Sequence, residues 1–125
     1  MRSGPGKKRE TTRAAIGHHT SMTEDQFRQR VRDYAALMGW SLQHHNSDSR
    51  RADPGWPDDV FCRPPRLLIV EFKSQKGRLR DAQREWLVAL NECGVEVALW
   101  RPSDWPEIQQ VMARGSEVRA VLHLP

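Results

Sequence analysis

Two acidic residues and a lysine have the types and spacing for chemistry on a phosphodiester. Glu71 and Lys73 end an otherwise apolar run, and residues two apart in a strand point to the same face of a sheet. Burying these charges is unfavourable unless they pair or bind a metal ion. Asp58 lies thirteen residues before Glu71, and a hairpin turning at Pro64-Pro65 would bring it opposite Glu71.

Two carboxylates with nearby main-chain carbonyls form an all-oxygen site that suits a hard cation such as Mg²⁺ or Mn²⁺. Such a cation polarises a phosphoryl oxygen and lowers the pKa of a bound water. Lys73 would orient that water or stabilise the charge that builds on the phosphorus oxygens. The predicted reaction is metal-dependent hydrolysis of a phosphodiester bond.

The elements that position these residues follow from hydrophobic spacing and turn signals. Residues 67–70 are all apolar, which predicts a strand buried on both faces at the centre of a sheet. The predicted elements are a helix capped by Thr23 and ended by Gly39, strands at 40–45, 60–62 and 67–73, a helix at 81–93 capped by Asp81, a strand at 95–100 and a helix at 102–112. This order, αβββαβα, predicts an α/β sandwich around a mixed sheet.

Helical spacing also predicts which side chains of the first two helices face the core. The predicted apolar positions are Phe27, Val31, Tyr34 and Met38 in the first helix, and Ala82, Trp86, Ala89 and Cys93 in the second. Trp56, beside Asp58, is either core packing or a stacking platform for a base.

Length and charge limit the organisation of the chain. At 125 residues it is long enough for one domain, which we expect at residues 22–113. Residues 1–21 hold five Lys/Arg and one Glu, which accounts for the whole net charge of +4, and we expect a flexible basic arm or leader there. Residues 114–125 form a tail that is either an edge strand or loose.

Several classes are excluded by composition. No segment is apolar enough to span a bilayer or to act as a secretory signal, so we expect an intracellular, cytoplasmic protein without a membrane partner. Cys62 and Cys93 lack the spacing of a disulfide framework or zinc knuckle, and we expect buried reduced thiols. We expect no organic cofactor.

A cluster of positive charge surrounds the candidate chemistry. Seven basic residues lie between Arg63 and Arg84, against only Glu71 and Asp81. We expect contacts to DNA phosphates from Arg50, Arg51, Lys76, Arg78 and Arg80, although a solvated loop and a solvated helix face would have the same composition.

These residues resemble a known nuclease signature. Pro57-Asp58 followed by Glu71-Phe72-Lys73 is similar to the PD-(D/E)xK motif, which alone would be weak because short strings recur by chance. The longer pattern resembles the VRR-NUC subfamily through residues 50–58, Arg63-Pro64-Pro65-Arg66, Glu71-Phe72-Lys73-Ser74, Lys76-Gly77-Arg78-Leu79, Gln83, Gly94-Val95-Glu96-Val97 and Trp100-Arg101-Pro102-Ser103-Asp104. The resemblance covers roughly residues 23–108.

The resemblance implies a restriction-endonuclease-like fold and a role for each motif residue. Asp58 and Glu71 would be metal ligands together with the main-chain carbonyl of Phe72, and Lys73 would be the catalytic lysine. Gln83 would face the site and hold the water or a phosphate. An acidic residue on the first helix often completes such sites, and Glu24 is the nearest candidate.

Some residues depart from that pattern or compete with it. Asp59 stands where an apolar strand residue is expected, so it either shares the ligand role with Asp58 or is a surface change. Asp81 stands at a cap position where Ser or Thr is expected. His44 and His45 are adjacent in a predicted strand and point to opposite faces, so at most one of them can reach the site.

The leading hypothesis is therefore a Mg²⁺-dependent, structure-selective DNA endonuclease. Stand-alone proteins that it resembles are small, often phage-encoded homodimers that cut branched DNA such as Holliday junctions. The alternatives are a nuclease of another specificity, such as nicking, flap-cutting or restriction-type activity, and a catalytically silent nucleic-acid-binding module.

Overall fold

The apolar run after the Pro64-Pro65 turn forms an interior strand. In the computed structural model, which describes residues 22–46 and 53–124, the strand Arg66–Phe72 has a hydrogen-bonded neighbour on each side. Every residue from Leu68 to Phe72 is buried, so side chains on both faces of this strand lie in the interior. The prediction of a central strand buried on both faces is confirmed.

The full order of elements agrees with the predicted αβββαβα arrangement. The elements are α1 (Glu24–Leu37), β1 (Leu42–His45), β2 (Asp59–Arg63), β3 (Arg66–Phe72), α2 (Asp81–Glu92), β4 (Glu96–Trp100) and α3 (Trp105–Met112), with a 3-10 turn at Pro102–Asp104. The sheet order is β1-β2-β3-β4, with antiparallel pairs β1/β2 and β2/β3 and a parallel pair β3/β4. The sheet is mixed because α2 carries the chain across between two parallel strands.

The two faces of this sheet pack against different helices. Buried side chains of α1 and α3 form one apolar cluster with Leu68, Val70 and Phe72 of β3. The intervening residues of β3, Ile69 and Glu71, point to the opposite face, where α2 lies. The result is a sheet with helices on both sides, as the sequence predicts.

Helix α1 begins where the sequence indicates. The Thr23 hydroxyl accepts a hydrogen bond from the Gln26 amide at 3.1 Å, and the Gln26 side chain accepts one from the Thr23 amide at 3.0 Å. This capping box satisfies two amides that the first helical turn leaves free. Phe27 and Val31 are fully buried, which confirms the predicted core stripe.

Helix α2 differs from the prediction in two respects. Its N-cap is Arg80 rather than Asp81, and the Gln83 side chain accepts from the Arg80 amide at 2.9 Å. The predicted core stripe is also wrong, since Leu87 is the one buried residue of α2 and Ala89 is exposed. The spacing misleads because part of this stripe covers the segment before Asp58 instead of the sheet.

The predicted tail is docked onto the sheet without forming a strand between residues 116 and 124. Arg66 donates to the Val118 carbonyl at 2.6 Å, and the Ala120 amide donates to the buried Glu96 carboxylate at 2.6 Å. These contacts replace the strand pairing that alternating residues in this segment suggested.

Two further expectations concern the cysteines and membranes. Cys62 and Cys93 are both free thiols, but Cys93 is exposed, so the expectation that both are buried is wrong. Across residues 22–46 and 53–124, no helix has the length and apolar character needed to cross a bilayer.

A buried ion pair joins β2 to α1. Asp59 has no exposed surface, and the Arg32 guanidinium donates to both of its carboxylate oxygens, at 2.7 and 2.6 Å. Asp59 is therefore neither a surface residue nor an available metal ligand. The two-point geometry of the guanidinium satisfies the carboxylate where no solvent can reach it.

Removing one partner of this pair should destabilise the fold strongly. We expect Arg32→Met to lower the free energy of unfolding by about 3–5 kcal/mol, because it leaves an unpaired buried carboxylate. Urea unfolding monitored by tryptophan fluorescence measures this. The double variant Arg32→Met/Asp59→Leu should lose less than the single variant, and an equal or larger loss would show that the pair does not act through charge burial.

Candidate active site

The hairpin between β2 and β3 brings Asp58 and Glu71 together. Asp59 pairs with Val70 in the antiparallel register. Asp58, one residue before Asp59, therefore lies opposite Glu71, one residue after Val70. The Asp58 carboxylate accepts a hydrogen bond from the Phe72 amide at 2.9 Å, and Asp58 lies close enough to Glu71 for its charge to raise the pKa of the Glu71 carboxyl. The arrangement expected from the turn at Pro64-Pro65 is thus present.

Glu71 lies in an environment that opposes its ionisation. It is only 2% exposed, and its pKa is raised to about 9, first by burial and second by the nearby charge of Asp58. Lys73 lowers that pKa, although its Nζ is 3.9 Å from Glu71 Oε2. The Glu71 carboxyl therefore retains its proton at neutral pH unless another positive charge enters.

Lys73 and Gln83 flank the Glu71 carboxylate from two elements. The Lys73 side chain is 12% exposed and follows β3 on the same face as Glu71. Gln83 comes from the first turn of α2 and donates to Glu71 Oε2 at 3.0 Å. Gln83 thereby connects the helix N-terminus to the acid, since its other amide atom accepts from the Arg80 amide.

The main chain of Phe72 also faces this group. Its amide donates to Asp58, and in a strand the N–H and C=O of one residue point to the same neighbouring strand. The Phe72 carbonyl is therefore directed to the Asp58 side of β3. Two carboxylates and one carbonyl at the rim of the sheet make a set of hard oxygen donors that fits Mg²⁺ or Mn²⁺.

Glu24, the expected additional acid, is engaged by an arginine. Its Oε2 lies 2.6 Å from Arg28 Nη2, and the same nitrogen is 3.8 Å from Asp58 Oδ1. In the part of the chain that the structure describes, no three side chains of His, Cys, Asp or Glu are grouped to hold a metal ion. The oxygen donors brought together are those of Asp58, Glu71 and Phe72.

Comparison with known proteins identifies the family. Residues 7–104 match the VRR-NUC domain, well over half of the chain. The chain belongs to the VRR-NUC domain family. A solved structure described as a VRR_NUC domain protein is similar in fold, with a TM-score of 0.57 and 21% sequence identity over 71% of this chain and 87% of that chain. No curated protein matches the chain.

Family membership implies a nuclease-type function with DNA as substrate. The restriction-endonuclease-like fold expected from the sequence is the fold observed, a mixed sheet with helices on both faces. The match begins at residue 7, within the segment expected to be an arm. Residues 1–21 lie outside the described part of the structure, and their role stays a prediction.

The segment before Asp58 in this VRR-NUC domain is fixed against α2. Trp86 donates to the Pro54 carbonyl at 3.1 Å, and the Trp56 and Trp86 rings meet edge to face with centroids 4.9 Å apart. Trp56 is therefore packed against a helix, which supports the packing interpretation over a free stacking platform. Helix α2 thus positions Asp58 through this segment and Glu71 through Gln83.

The basic residues expected to contact DNA lie on a loop that is itself anchored. Lys76, Arg78 and Arg80 are exposed and follow Lys73. Arg101 donates to the carbonyls of Ser74 and Gly77 at 2.8 and 2.6 Å, which fixes the turn between the lysine and this basic loop. Sequence reasoning missed Arg101, whose only signal was its place in the family-like string. Arg50 and Arg51 lie outside the described residues.

The two histidines are separated by strand alternation, as expected. His45 lies opposite Asp59, with its Nε2 3.8 Å from Asp59 Oδ2 and 2.8 Å from Gln43 Oε1. His44 pairs with Val60 and is exposed. The contacts of His45 are thus with the buried Arg32–Asp59 pair rather than with the acids at the rim.

Gly55 tests how tightly the Asp58 segment must fit α2. A Cβ at Gly55 would lie 2.3 Å from the Ala82 carbonyl carbon, and the residue has φ +83°. Gly94 has the same φ of +83° but no atom within 4 Å of such a Cβ. We expect Gly55→Ala to lower the free energy of unfolding by about 1–3 kcal/mol more than Gly94→Ala. Urea unfolding of both variants measures the difference, and equal losses would contradict the proposed contact.

Burial of Glu71 also predicts a dependence of stability on pH. Between its unfolded pKa of about 4.3 and its folded pKa of about 9, the folded chain retains a proton that the unfolded chain has lost, so this group destabilises the fold as pH rises. We expect Glu71→Gln to stabilise the metal-free protein more at pH 8 than at pH 5. Urea unfolding in EDTA at both values measures this, and parallel profiles of variant and wild type would contradict it.

Proposed function

We propose that this VRR-NUC domain protein is a Mg²⁺-dependent endonuclease that hydrolyses phosphodiester bonds in branched DNA such as Holliday junctions. The observation that carries the proposal is that the hairpin register places Asp58, hydrogen-bonded to the Phe72 amide at 2.9 Å, beside the buried Glu71, whose pKa is raised to about 9. Two carboxylates in contact repel each other when both are ionised. A divalent cation would relieve that repulsion, as a proton does. It would also activate the phosphodiester and the attacking water for hydrolysis.

The groups that would hold the cation are the Asp58 and Glu71 carboxylates and the Phe72 carbonyl. Mn²⁺ should substitute for Mg²⁺ because both favour oxygen ligands. When bound, the ion would polarise a phosphoryl oxygen and lower the pKa of a water. Glu24 is the candidate for a further ligand, and it must first leave Arg28.

The remaining roles follow from where Lys73 and Gln83 lie. The Lys73 ammonium is close to Glu71 yet not in tight contact with it, so it remains available to a water or a phosphate oxygen. There it would orient the attacking water or stabilise negative charge on the phosphorus oxygens. Gln83 would keep the Glu71 carboxylate in place through its 3.0 Å hydrogen bond and would lie beside the same water.

DNA would be held mainly through its backbone. Lys76, Arg78 and Arg80 are exposed on the loop after Lys73, so their charges would meet phosphates next to the cut bond. We include Arg50 and Arg51, which precede Asp58 in the sequence, in the same phosphate-binding set. The candidate contacts are all to the DNA backbone, which favours recognition of DNA shape over sequence.

We also propose that the protein acts inside the cell as a homodimer. This is the assembly expected from its resemblance to small phage-encoded nucleases. One site cleaves one strand, and a four-way junction is resolved by two symmetric cuts, which a two-fold dimer supplies. Free cysteines are typical of a reducing compartment. The branched-DNA substrate and the two-fold symmetric dimer are therefore proposed together.

Cleavage of a four-way junction tests this function. The wild type with Mg²⁺ should give paired cuts on opposing strands, and EDTA should abolish them. Asp58→Asn, Glu71→Gln and Lys73→Met should each reduce cleavage by about 100-fold or more, because each removes a group that contacts the ion or the reacting phosphate. Product lengths on a denaturing gel measure both rate and symmetry.

Asp33→Asn provides a matched control, because this exposed carboxylate on α1 is hydrogen-bonded to Gln29 and lies outside the site. It should cleave as the wild type does. A panel of flaps, nicked duplexes and intact duplexes identifies the substrate, and preference for one of these would replace the junction hypothesis. Binding that weakens with salt, without any metal-dependent product, would instead indicate a catalytically silent DNA-binding module.

A further inference from the structure

Arg28 holds the acidic residues around the proposed cation site. Its Nη2 lies 2.6 Å from Glu24 Oε2 and 3.8 Å from Asp58 Oδ1, and its Nη1 lies 2.6 Å from Asp25 Oδ1. One guanidinium thus connects the two acids that face the site with a third acid at the surface. Its positive charge lies where a divalent cation would need to approach.

The arginine is held in this place by packing as well as by charge. Its side chain is 15% exposed, and its carbon Cζ lies 6.0 Å from the centroid of the Phe72 ring. Phe72 is in turn fixed by an edge-to-face contact with Phe27 at 5.5 Å. Arg28 therefore lies against the residue whose amide binds Asp58 and whose carbonyl faces the acids.

Arg32, one turn further along α1, forms a tight ion pair with Asp59 that can be compared with the contact between Arg28 and Asp58. It donates to both oxygens of Asp59 at 2.7 and 2.6 Å. The nearest approach of Arg28 to Asp58 is 3.8 Å, between Nη2 and Oδ1, while Asp58 Oδ2 accepts from the Phe72 amide. The first pair is fully hydrogen-bonded, whereas the second leaves Asp58 Oδ1 accessible to a stronger cation.

We infer that Arg28 is an internal counter-cation that competes with the divalent cation for Asp58 and Glu24. This inference rests on the proposed function, because it concerns the same acids. Without the ion, the guanidinium neutralises both carboxylates. Binding of the ion displaces Arg28 from Asp58 and frees Glu24, so the affinity for the ion is lower than the acids alone would give.

If Arg28 competes with the cation, its removal should raise the affinity for the ion. Removal of a residue that only supports the site should lower that affinity. We expect Arg28→Gln to bind Mn²⁺ at least about tenfold more tightly than the wild type, because a positive charge within 4 Å of Asp58 is removed. Titration of the full chain with Mn²⁺, with free ion measured by electron paramagnetic resonance, gives the affinity without DNA or turnover. Weaker or unchanged binding would overturn the inference.

Two variants of matched chemistry isolate the effect of charge. Arg28→Lys keeps the positive charge and should bind Mn²⁺ within about threefold of the wild type. Arg30→Gln removes a charge from the same helix, where the guanidinium lies 4.0 Å from the Trp105 ring centroid, and should change the affinity by less than about twofold. A tenfold gain in Arg30→Gln would indicate a general charge effect and would overturn the role of Arg28.

The remaining controls separate this inference from the proposed function. Asp58→Asn and Glu71→Gln should both lose Mn²⁺ binding. If they bind as the wild type does, the proposed metal site fails; if they lose binding while Arg28→Gln binds normally, only the counter-cation role fails. Should Arg28→Gln not fold, Arg28→Met keeps the apolar stem against Phe72 and carries the same expectation.

Discussion

The structure depends on placing two carboxylates side by side at the rim of a sheet whose centre is apolar. Glu71 continues a strand in which every residue from Leu68 onward is buried, and Asp58 immediately precedes the neighbouring strand β2. An apolar residue at position 71 would suit this environment better. The arrangement is therefore a local cost to stability, which the surrounding elements tolerate because they bring positive charge and hydrogen-bond donors to it.

Helices on opposite faces of the sheet supply those donors in different ways. From one face, α1 presents two arginines one turn apart toward consecutive aspartates, and the pairing is tight at Asp59 but loose at Asp58. From the other face, α2 holds Glu71 through Gln83 and fixes the segment before Asp58 through Trp86. Each acid at the rim is thus positioned by a strand and a helix together, and a shift of either helix would separate them.

The sequence predicted the order of elements, the central strand and the hairpin, because these depend on local patterns. An unbroken apolar run, a Pro-Pro turn and a capping residue each act over a few residues. The predicted core face of α2 was wrong because it depends on tertiary packing, which local patterns do not describe. Helical spacing shows that apolar residues share a face, but it does not show whether that face meets the sheet or, as with Trp86, an irregular segment.

By itself, the sequence predicted that Asp58, Glu71 and Lys73 are the candidate residues for the chemistry of this VRR-NUC domain, from residue type, strand spacing and one turn. Only the tertiary structure decided what surrounds them. Arg28 and Asp59 show no local signal for their roles, because their partners lie on elements far apart in the chain. Charge pairing between distant elements depends on how helices cross a sheet, and that geometry is set by packing of the whole core.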